Sequence, residues 1–248
     1  MDLNADMAEG IGPEGWAADA SLLDVVTSAN IACGGHAGDA ETMRRACDAA
    51  IERGVRIGAH PGYGDRENFG RTELGLATGE VVAQVAEQIT LLESIAASSG
   101  SAVTHVKLHG ALYHRALRDD ELAAALAELI AGLASPPVVL APARGALVDA
   151  ARARGLGCAA EGFADRAYDA AGLLVPRDQP GSVLGAEEAV AQALRLAREG
   201  SVIANDGTVL PIDVESICVH GDTPGAIELA GELRAALTGG GIEVKAFA

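Results

Sequence analysis

A regular alternation of two hydrophobic patterns most constrains how this chain can fold. Short apolar runs, typical of strands, alternate with longer stretches in which apolar residues recur every three or four positions, as in helices. The stripe formed by Val81, Val85, Ile89 and Leu92 is the clearest helical pattern. Such an alternation favours βαβ units and a parallel sheet. Strands are predicted at residues 2–6, 28–33, 55–60, 103–109, 137–142, 157–163 and 216–221.

Seven such repeats fit a closed or nearly closed α/β barrel of the TIM-like kind, with a doubly wound open sheet as the alternative. The weakest helical pattern covers residues 18–27, and the last helix is expected to open with Thr223 as N-cap and Pro224 as its first residue. No linker or change in composition divides the chain, which predicts one domain over residues 1–248. Long loops are expected at residues 61–78, 164–184 and 200–214.

The charge balance excludes several classes of partner. With 18 basic and 35 acidic residues the formal charge is −17, which argues against binding nucleic acid or docking on an anionic membrane. The chain begins without a basic and apolar leader, and no apolar run is long enough for a membrane span. The four cysteines form no CxxC pair. We therefore expect a reduced, cytoplasmic protein that acts on a small molecule.

Polar side chains crowd the ends of the predicted strands. Asp2, Asn4 and Asp6 alternate along the first strand, so all three point to one side. In a barrel, the inward positions of successive strands converge at one mouth. The other polar residues in or just beyond predicted strands are Asn30, His36, Asp39, His60, Asp65, His105, Lys107, His109, Glu161, Asp165, His220 and Asp222.

Some of these residues have simpler interpretations. Asp39 fits the N-cap of the following helix, and Asp222 fits a turn. His105 lies deep in its strand and is expected to be a hydrogen-bonded core residue, while His114 follows on a surface helix and receives no role. Lys107 is harder to explain as structure, because a buried ammonium group needs a partner or loses its proton. The number of ionisable residues at strand ends indicates an active site.

Two chemistries remain open for this site. Asp and His side chains on separate strands suit a divalent metal such as Zn²⁺, Mn²⁺ or Mg²⁺. The same groups could instead transfer protons without a metal. The glycine-rich loop from Gly34 to Asp39 leads into a predicted helix and fits an anion-binding turn, although it lacks the Gly-Lys-Ser/Thr sequence of a P-loop.

Six segments of the sequence stand out as motifs: DLNADMAEGIG (2–12), SANIACGGHAGD (28–39), IGAHPGYGDRENFGR (57–71), VKLHGALY (106–113), EGFADRAY (161–168) and ICVHGDTPGA (217–226). Together they resemble one known family, LamB/YcsF, which is identified with the A subunit of bacterial 5-oxoprolinase. Two departures are visible: Ala5-Asp6-Met7-Ala8 stands where Cys-Asp-Leu-Gly is expected, and Lys107-Leu108-His109 where Lys-Pro-His is expected.

The resemblance implies a seven-stranded α/β barrel related to sugar deacetylases. It also implies ATP-dependent opening of 5-oxo-L-proline to L-glutamate, together with companion subunits B and C. By analogy with the related deacetylases, a metal maps onto Asp6, His60 and His109. The catalytic residues expected on the same basis are Asp6, His36, Asp39, Lys107, His220 and Asp222, with Asp39 and Asp222 orienting the histidines. The substrate-binding residues expected are Asn4, Asn30, Glu161 and Asp65.

Two other functions stay open. A metal-dependent deacetylase acting on a sugar amide would be active as the lone chain without ATP. A non-catalytic scaffold in a larger complex would tolerate substitution of the strand-end histidines. The burial of many ionisable groups at one place argues against the scaffold, because such burial costs stability without serving a scaffold.

Overall fold

A computed structural model describes residues 1–10, 12–220 and 225–247. Seven parallel strands close into a barrel in the order β1-β2-β3-β4-β5-β6-β9. The barrel strands are β1 (Asp2–Met7), β2 (Ser28–Ala32), β3 (Arg56–His60), β4 (His105–Val106), β5 (Val138–Ala141), β6 (Cys158–Phe163) and β9 (Ser216–Val219). This confirms the seven-stranded α/β barrel and removes the open-sheet alternative.

Helices surround the barrel and connect its strands. Their buried faces follow the predicted periodicity: Val81, Val85, Ile89 and Leu92 all lie against the core. The helices are α1 (Gly12–Leu23), α2 (Ala40–Arg53), α3 (Thr78–Ser98), α4 (Gly110–Ala116), α5 (Asp120–Ala131), α6 (Ala146–Ala153), α7 (Ala186–Glu199) and α8 (Ala226–Gly239). Among the described residues, no helix has the length and apolarity that a membrane crossing requires.

The inside of the barrel is unusually polar and is built in layers. At the amino ends of the strands, Asp2 accepts hydrogen bonds from Ser28 Oγ at 2.7 Å and from Ser216 Oγ. One layer higher, Asn30 Nδ2 donates to Asn4 Oδ1 at 2.7 Å. Buried polar groups are stable only when they are hydrogen-bonded, and these pairs satisfy one another across neighbouring strands.

The middle layer also holds His105, as predicted for a core histidine. Its Nε2 donates to Asn30 Oδ1 at 2.9 Å, and its Nδ1 lies 3.1 Å from Thr104 Oγ1. Burial lowers the pKa of His105 to about 3, so the ring is neutral. Gly58 stands opposite on β3, where a Cβ atom would lie 2.0 Å from His105 Nε2. Glycine at this position therefore makes room for the imidazole.

The structure differs from the sequence prediction in four main places, the first of which is β4, which covers only His105–Val106 of the predicted 103–109. The expected loop at 200–214 contains an antiparallel hairpin of β7 (Ser201–Ile203) and β8 (Val209–Pro211). Helix α1 begins earlier than expected, at Gly12, and ends at Leu23. The described part of the last helix begins at Ala226 after Gly225, while Thr223 and Pro224 lie outside the described residues. The two strands of the hairpin are short, so their alternation was too brief to predict from sequence.

Candidate active site

A cavity of about 600 Å³ opens at the carboxyl ends of the barrel strands, where α/β barrels carry their sites. It is formed by residues at the ends of β1, β3, β4, β6 and β9 and by the loops that follow. The ionisable residues at its floor are Asp6, Glu9, His60, Lys107, His109 and His220. Four of them lie on or just beyond barrel strands. Asp6 lies on β1, His60 ends β3, and Lys107 and His109 follow β4.

Three histidines and a glutamate meet next to this floor; Glu9, His60 and His109 line the cavity, and His36 is buried beside them. Glu9 Oε1 lies 2.8 Å from His36 Nε2, 3.3 Å from His109 Nδ1 and 3.8 Å from His60 Nε2. His60 Nε2 and His109 Nδ1 are 3.0 Å apart. We call Glu9, His36, His60 and His109 the histidine cluster; their nearest donor atoms all lie within 4.8 Å of one another.

Backbone carbonyl groups fix the orientation of two rings in the histidine cluster. His60 Nδ1 donates to the Lys107 carbonyl oxygen at 2.8 Å, and His109 Nε2 donates to the Phe69 carbonyl oxygen at 2.9 Å. The opposite nitrogen of each ring therefore points to the centre of the cluster. Metal-binding histidines are commonly held in this way, with the far N–H on a carbonyl or carboxylate.

The three rings have different proton affinities. Burial and the neighbouring His60 lower the pKa of His36 to about 3 and the pKa of His109 to about 2, so both rings are neutral. Burial also acts to lower the pKa of His60, but the carboxylates of Asp6 and Glu9 outweigh it and raise that pKa. The cluster therefore attracts one positive charge to its centre.

The loop after β3 packs tightly around these rings. His36 and His109 stack with ring centroids 3.6 Å apart and planes within 4° of parallel. Gly70 has a φ of +63°, and a Cβ atom there would lie 2.8 Å from His36 Cβ. The preceding Phe69 has a φ of +55°, which is costly for a residue other than glycine, and its carbonyl oxygen holds His109.

The donor set of the histidine cluster fits a divalent metal. Imidazole nitrogens together with a carboxylate oxygen are a common ligand set for Zn²⁺. His109 Nδ1 and Glu9 Oε1 both offer lone pairs and face each other at 3.3 Å, an arrangement that a cation between them would stabilise. His36 Nδ1 is buried and has no hydrogen-bond partner among the residues that the structure describes. The predicted metal ligands His60 and His109 belong to this set; Asp6 lies beside it, with Oδ2 at 3.3 Å from His60 Nε2.

Lys107 lies below the histidine cluster in a buried ion-pair network. Its Nζ is 2.8 Å from Glu161 Oε1 and 3.1 Å from Asp6 Oδ1. Burial lowers the pKa of this ammonium group, but the two carboxylates outweigh it and hold the pKa well above 10.5. Glu161 Oε2 also accepts a hydrogen bond from the Tyr113 hydroxyl at 3.1 Å. Lys107 thus remains charged because it has two carboxylate partners.

A second carboxylate–histidine pair lies across the cavity. His220 Nδ1 is 2.9 Å from Asp165 Oδ1, and the His220 ring stacks on Phe163 with centroids 5.5 Å apart. Asp165 is 1% exposed, so its carboxylate is dedicated to this contact. Burial acts to raise the pKa of Asp165, but its interactions with His220 outweigh it and lower that pKa. The His220 ring lines the cavity.

The structure places the four residues predicted to bind substrate away from the cavity lining. Asn4, Asn30 and Glu161 are at most 2% exposed and hydrogen-bond or ion-pair with the groups around Asp6 and Lys107. Asp65 binds the backbone and side chain of Asn68 within its own loop. Substrate contact at these positions stays a prediction.

Of the two carboxylates expected to orient histidines, only Asp39 lies within the described residues. It is exposed and caps α2, accepting hydrogen bonds from the backbone of Glu41 and Thr42 at 3.0 and 2.8 Å. This confirms the capping interpretation, and its catalytic role stays a prediction. Asp222 lies outside the described residues. In the structure, Glu9 contacts His36 and Asp165 contacts His220 instead.

Sequence reasoning missed the importance of Glu9 and Asp165. Glu9 follows β1 by two residues and Asp165 follows β6 by two, so both satisfy the strand-end criterion that selected the other residues.

The loop after β2, which the sequence analysis expected to bind an anion, contacts a cation in the structure. The carbonyl groups of Gly34 and Gly38 accept hydrogen bonds from Arg66, so this turn presents acceptors to a cation.

Known proteins are similar over the full length of the chain. A protein from Streptomyces coelicolor, named as the A subunit of 5-oxoprolinase, is 49% identical over 251 residues, covering 100% of both chains. One from Nocardia farcinica with the same name is 47% identical over 247 residues, covering 100% of this chain and 99% of its own. A crystal structure of a lactam utilization protein from Thermus thermophilus has a TM-score of 0.91 at 38% identity, covering 100% of this chain and 99% of that chain.

A more distant structure, the Xyl-CE4 domain of a multidomain xylanase, shares the fold alone, with 10% identity and a TM-score of 0.50 over 98% of this chain and 86% of that one. The model of the LamB/YcsF family matches residues 1–248, which include all six motifs and every residue of the histidine cluster. The resemblance drawn from the motifs is confirmed, and the chain belongs to the LamB/YcsF family.

Proposed function

We propose that this chain is the A subunit of an ATP-dependent 5-oxoprolinase. With subunits B and C it hydrolyses 5-oxo-L-proline to L-glutamate, while ATP is cleaved to ADP and phosphate. The observation that supports this most is the buried histidine cluster beside the Asp165–His220 pair, at the floor of a pocket in a chain of the LamB/YcsF family. As part of the proposal, residues 1–248 form a single cytoplasmic domain.

The coupling to ATP follows from the chemistry of the lactam. An amide is stabilised by resonance, and its nitrogen is a poor leaving group. Transfer of a phosphoryl group from ATP to the lactam oxygen would activate the ring carbon. Water then attacks that carbon, the ring C–N bond breaks with a proton going to the nitrogen, and further water releases phosphate from the resulting acyl phosphate.

Different residues of the pocket serve different parts of this reaction. His220, held by Asp165 through Nδ1, lines the pocket and transfers a proton between water and the ring nitrogen. Asp165 is a positioning residue, because its carboxylate contacts the ring and the backbone of His220. A divalent ion held by the histidine cluster would supply Lewis acidity or an activated water.

The ion-pair network around Lys107 supports the pocket floor. Its charge holds Asp6, which in turn contacts His60 at 3.3 Å. Because Lys107 and His60 are buried and both contact Asp6, the charges of this network are fixed in position before a substrate arrives. Preorganised charges of this kind stabilise a polar transition state without further rearrangement.

The test is reconstitution of the assembled enzyme. The chain is co-expressed with candidate subunits B and C, and glutamate release from 5-oxoproline is measured with and without ATP. We expect ATP-dependent release by the wild type and its loss in His60→Ala. The matched control is His114→Ala, which lies on the pocket wall outside the histidine cluster and should keep most of the activity. Thermal unfolding of each variant checks that it is folded.

Other outcomes favour the alternatives. Full activity of an assembled His60→Ala complex would indicate a scaffold, with the chemistry carried out elsewhere in the complex. No glutamate from a folded, assembled wild-type complex would contradict the oxoprolinase proposal. Metal-dependent amide hydrolysis by the lone chain without ATP would then support a deacetylase, the function that the donor set of the histidine cluster could also serve.

A further inference from the structure

Phenylalanine is scarce in this chain, and each of its three phenylalanines contacts a histidine. Phe69 packs edge to face against two rings of the histidine cluster, and Phe247 packs against His105 with ring centroids 5.3 Å apart. Phe163 stacks on His220. Aromatic residues are only 3% of the sequence and the core is mostly aliphatic, so these contacts do not follow from a core rich in aromatic rings.

The contact between Phe163 and His220 is the flattest of these. Their ring planes are 18° apart with centroids 5.5 Å apart, whereas the planes of the other phenylalanine–histidine pairs are 68° to 82° apart. Both residues line the cavity. The hydrogen bond from His220 Nδ1 to Asp165 leaves the imidazole able to tilt about the line between donor and acceptor. A flat neighbour against the face of the imidazole restricts that tilt.

Phe163 is itself held at the end of β6 by contacts with its backbone and its ring. Its N–H donates to the Tyr168 hydroxyl at 2.8 Å, and its carbonyl oxygen accepts from Gln192 Nε2 at 2.8 Å. Its ring meets that of Tyr113 at 85°, with centroids 6.1 Å apart, and the residue is 5% exposed. Phe163 therefore offers His220 a fixed surface.

The Phe163 ring also suits the charge that His220 gains when it takes up a proton. The face of an aromatic ring is negative and attracts a cation within about 6 Å of its centre. The imidazole centroid lies 5.5 Å from the Phe163 centroid, and the Lys107 ammonium group lies at the same distance. An aliphatic side chain would fill the same space without this attraction.

We propose that Phe163 is a positioning residue for proton transfer by His220. The proposal rests on the proposed function and deepens it, because it adds a second contact to the Asp165–His220 pair. Asp165 holds the proton on Nδ1, and Phe163 sets the plane of the imidazole ring and favours its protonated form. The ring is thereby oriented to take a proton from water and pass it to the nitrogen of the lactam.

Steady-state kinetics of the assembled enzyme test this role. Phe163→Leu keeps an apolar side chain and removes the flat ring, and Phe163→Met does the same with a more adaptable side chain. For both we expect kcat of glutamate release to fall about 10- to 100-fold with little change in KM, a part of the about 10²- to 10⁴-fold that general acid–base catalysis contributes. Phe163→Tyr keeps the ring and should recover most of kcat.

The matched control is Phe247→Leu. It makes the same substitution beside a histidine, but that histidine, His105, is buried in the middle layer of the barrel, so kcat should stay at the wild-type value. Thermal unfolding checks that each variant is folded.

A His220→Ala background separates positioning from a structural role. Phe163→Leu should lower kcat no further in that background, because it acts through the ring that is already missing. An equal loss with and without His220 would make Phe163 a wall of the pocket and overturn the proposal. No loss of kcat on replacing Phe163 in the wild type would overturn it as well.

Nuclear magnetic resonance of the full chain alone tests the contact without the reaction. The proton on His220 Nδ1, bound to Asp165, gives a signal that is identified by its absence in His220→Ala. This signal should broaden or weaken in Phe163→Leu and stay unchanged in Phe247→Leu. An unchanged signal in Phe163→Leu would overturn the positioning role. Absence of ATP-dependent glutamate release by the wild-type complex would contradict the proposed function separately, whatever this signal shows.

Discussion

Replacing Lys107 with methionine should destabilise the fold strongly. The substitution keeps a long unbranched side chain and removes only the buried ammonium group. Asp6 and Glu161 then lose a cation that lies 3.1 and 2.8 Å away. Glu161 is buried, so water cannot replace that cation there, whereas Asp6 borders the pocket. A buried carboxylate left without a partner pays its full desolvation cost.

The expected loss of stability is about 3–5 kcal/mol, the range for breaking one side of a buried ion pair. Unit charges at these distances attract by about 5 kcal/mol at an effective dielectric constant near 20, and the desolvation of the lysine offsets part of that attraction. A typical domain has only about 5–15 kcal/mol of stability, so the loss is readily measurable.

The loss should depend on pH. In the folded wild type, Lys107 and His60 outweigh burial and hold the pKa of Asp6 well below 3.8, so its contribution is present above that value and is lost as pH falls through the lowered pKa. The contribution of Lys107 is complete below 10.5 and is lost as pH rises through its raised pKa. The difference between wild type and variant is therefore largest between about pH 5 and 9 and shrinks under acidic conditions, as Asp6 of the variant takes up a proton.

Urea unfolding at about pH 7 and pH 4, followed by circular dichroism, measures both effects. The chain has one other lysine, so Lys245→Met is the matched control; its side chain is 66% exposed and should leave the unfolding midpoint nearly unchanged. Adding Glu161→Gln to Lys107→Met should restore part of the stability. A loss below about 1 kcal/mol at pH 7, or a loss equal at both pH values, would refute the buried ion-pair reasoning.

Three further predictions concern the site and its surroundings. Asp165→Asn should lower kcat of the assembled enzyme by about 10²- to 10⁴-fold with little change in KM, because His220 loses the acceptor that orients it; an unchanged kcat would contradict this role. Glu9→Gln should lower the zinc or manganese retained after dialysis, measured by elemental analysis, while the exposed Glu87→Gln should retain wild-type metal. Burial, with Glu9, raises the pKa of Asp19 to about 6, so the stability of the wild type falls as pH rises from about 4 to 6. Asp19→Asn should remove that fall and stabilise the protein by up to about 3 kcal/mol at pH 7. Urea unfolding midpoints at pH 5 and 8 measure the difference.

Much of the site was visible in the strand pattern. His60 ends β3, and Lys107 and His109 follow β4 at positions that continue its alternation toward the barrel axis. One backbone feature was also indicated by the sequence. Ala8 stands where the family motif has glycine, and it adopts a φ of +59° just before Glu9. What could not be read was the depth of each residue, because register between strands decides whether an inward side chain reaches the pocket or, like Asn4 and Asn30, lies buried beneath it.

Pairing across the barrel was also beyond the sequence. Glu9 meets three histidines from three other segments, and Asp165 meets His220 over 55 positions of chain. Such contacts depend on how seven strands close, and no local spacing encodes them. Asp39 shows the same difficulty: its residue type suits both a cap and a catalytic carboxylate, and only the structure shows that its side chain binds the backbone at the start of α2.

The sequence by itself determined the alternation of strands and helices, the barrel class, the family and the side of the sheet on which the polar residues lie, because all of these depend on local periodicity and composition. The tertiary structure alone decided which of those residues touch, since the closure of the barrel and the path of its loops bring distant positions together. The tertiary structure brought the histidine cluster together and placed two carboxylates against the Lys107 ammonium group, because charge pairing and burial are properties of neighbours in space.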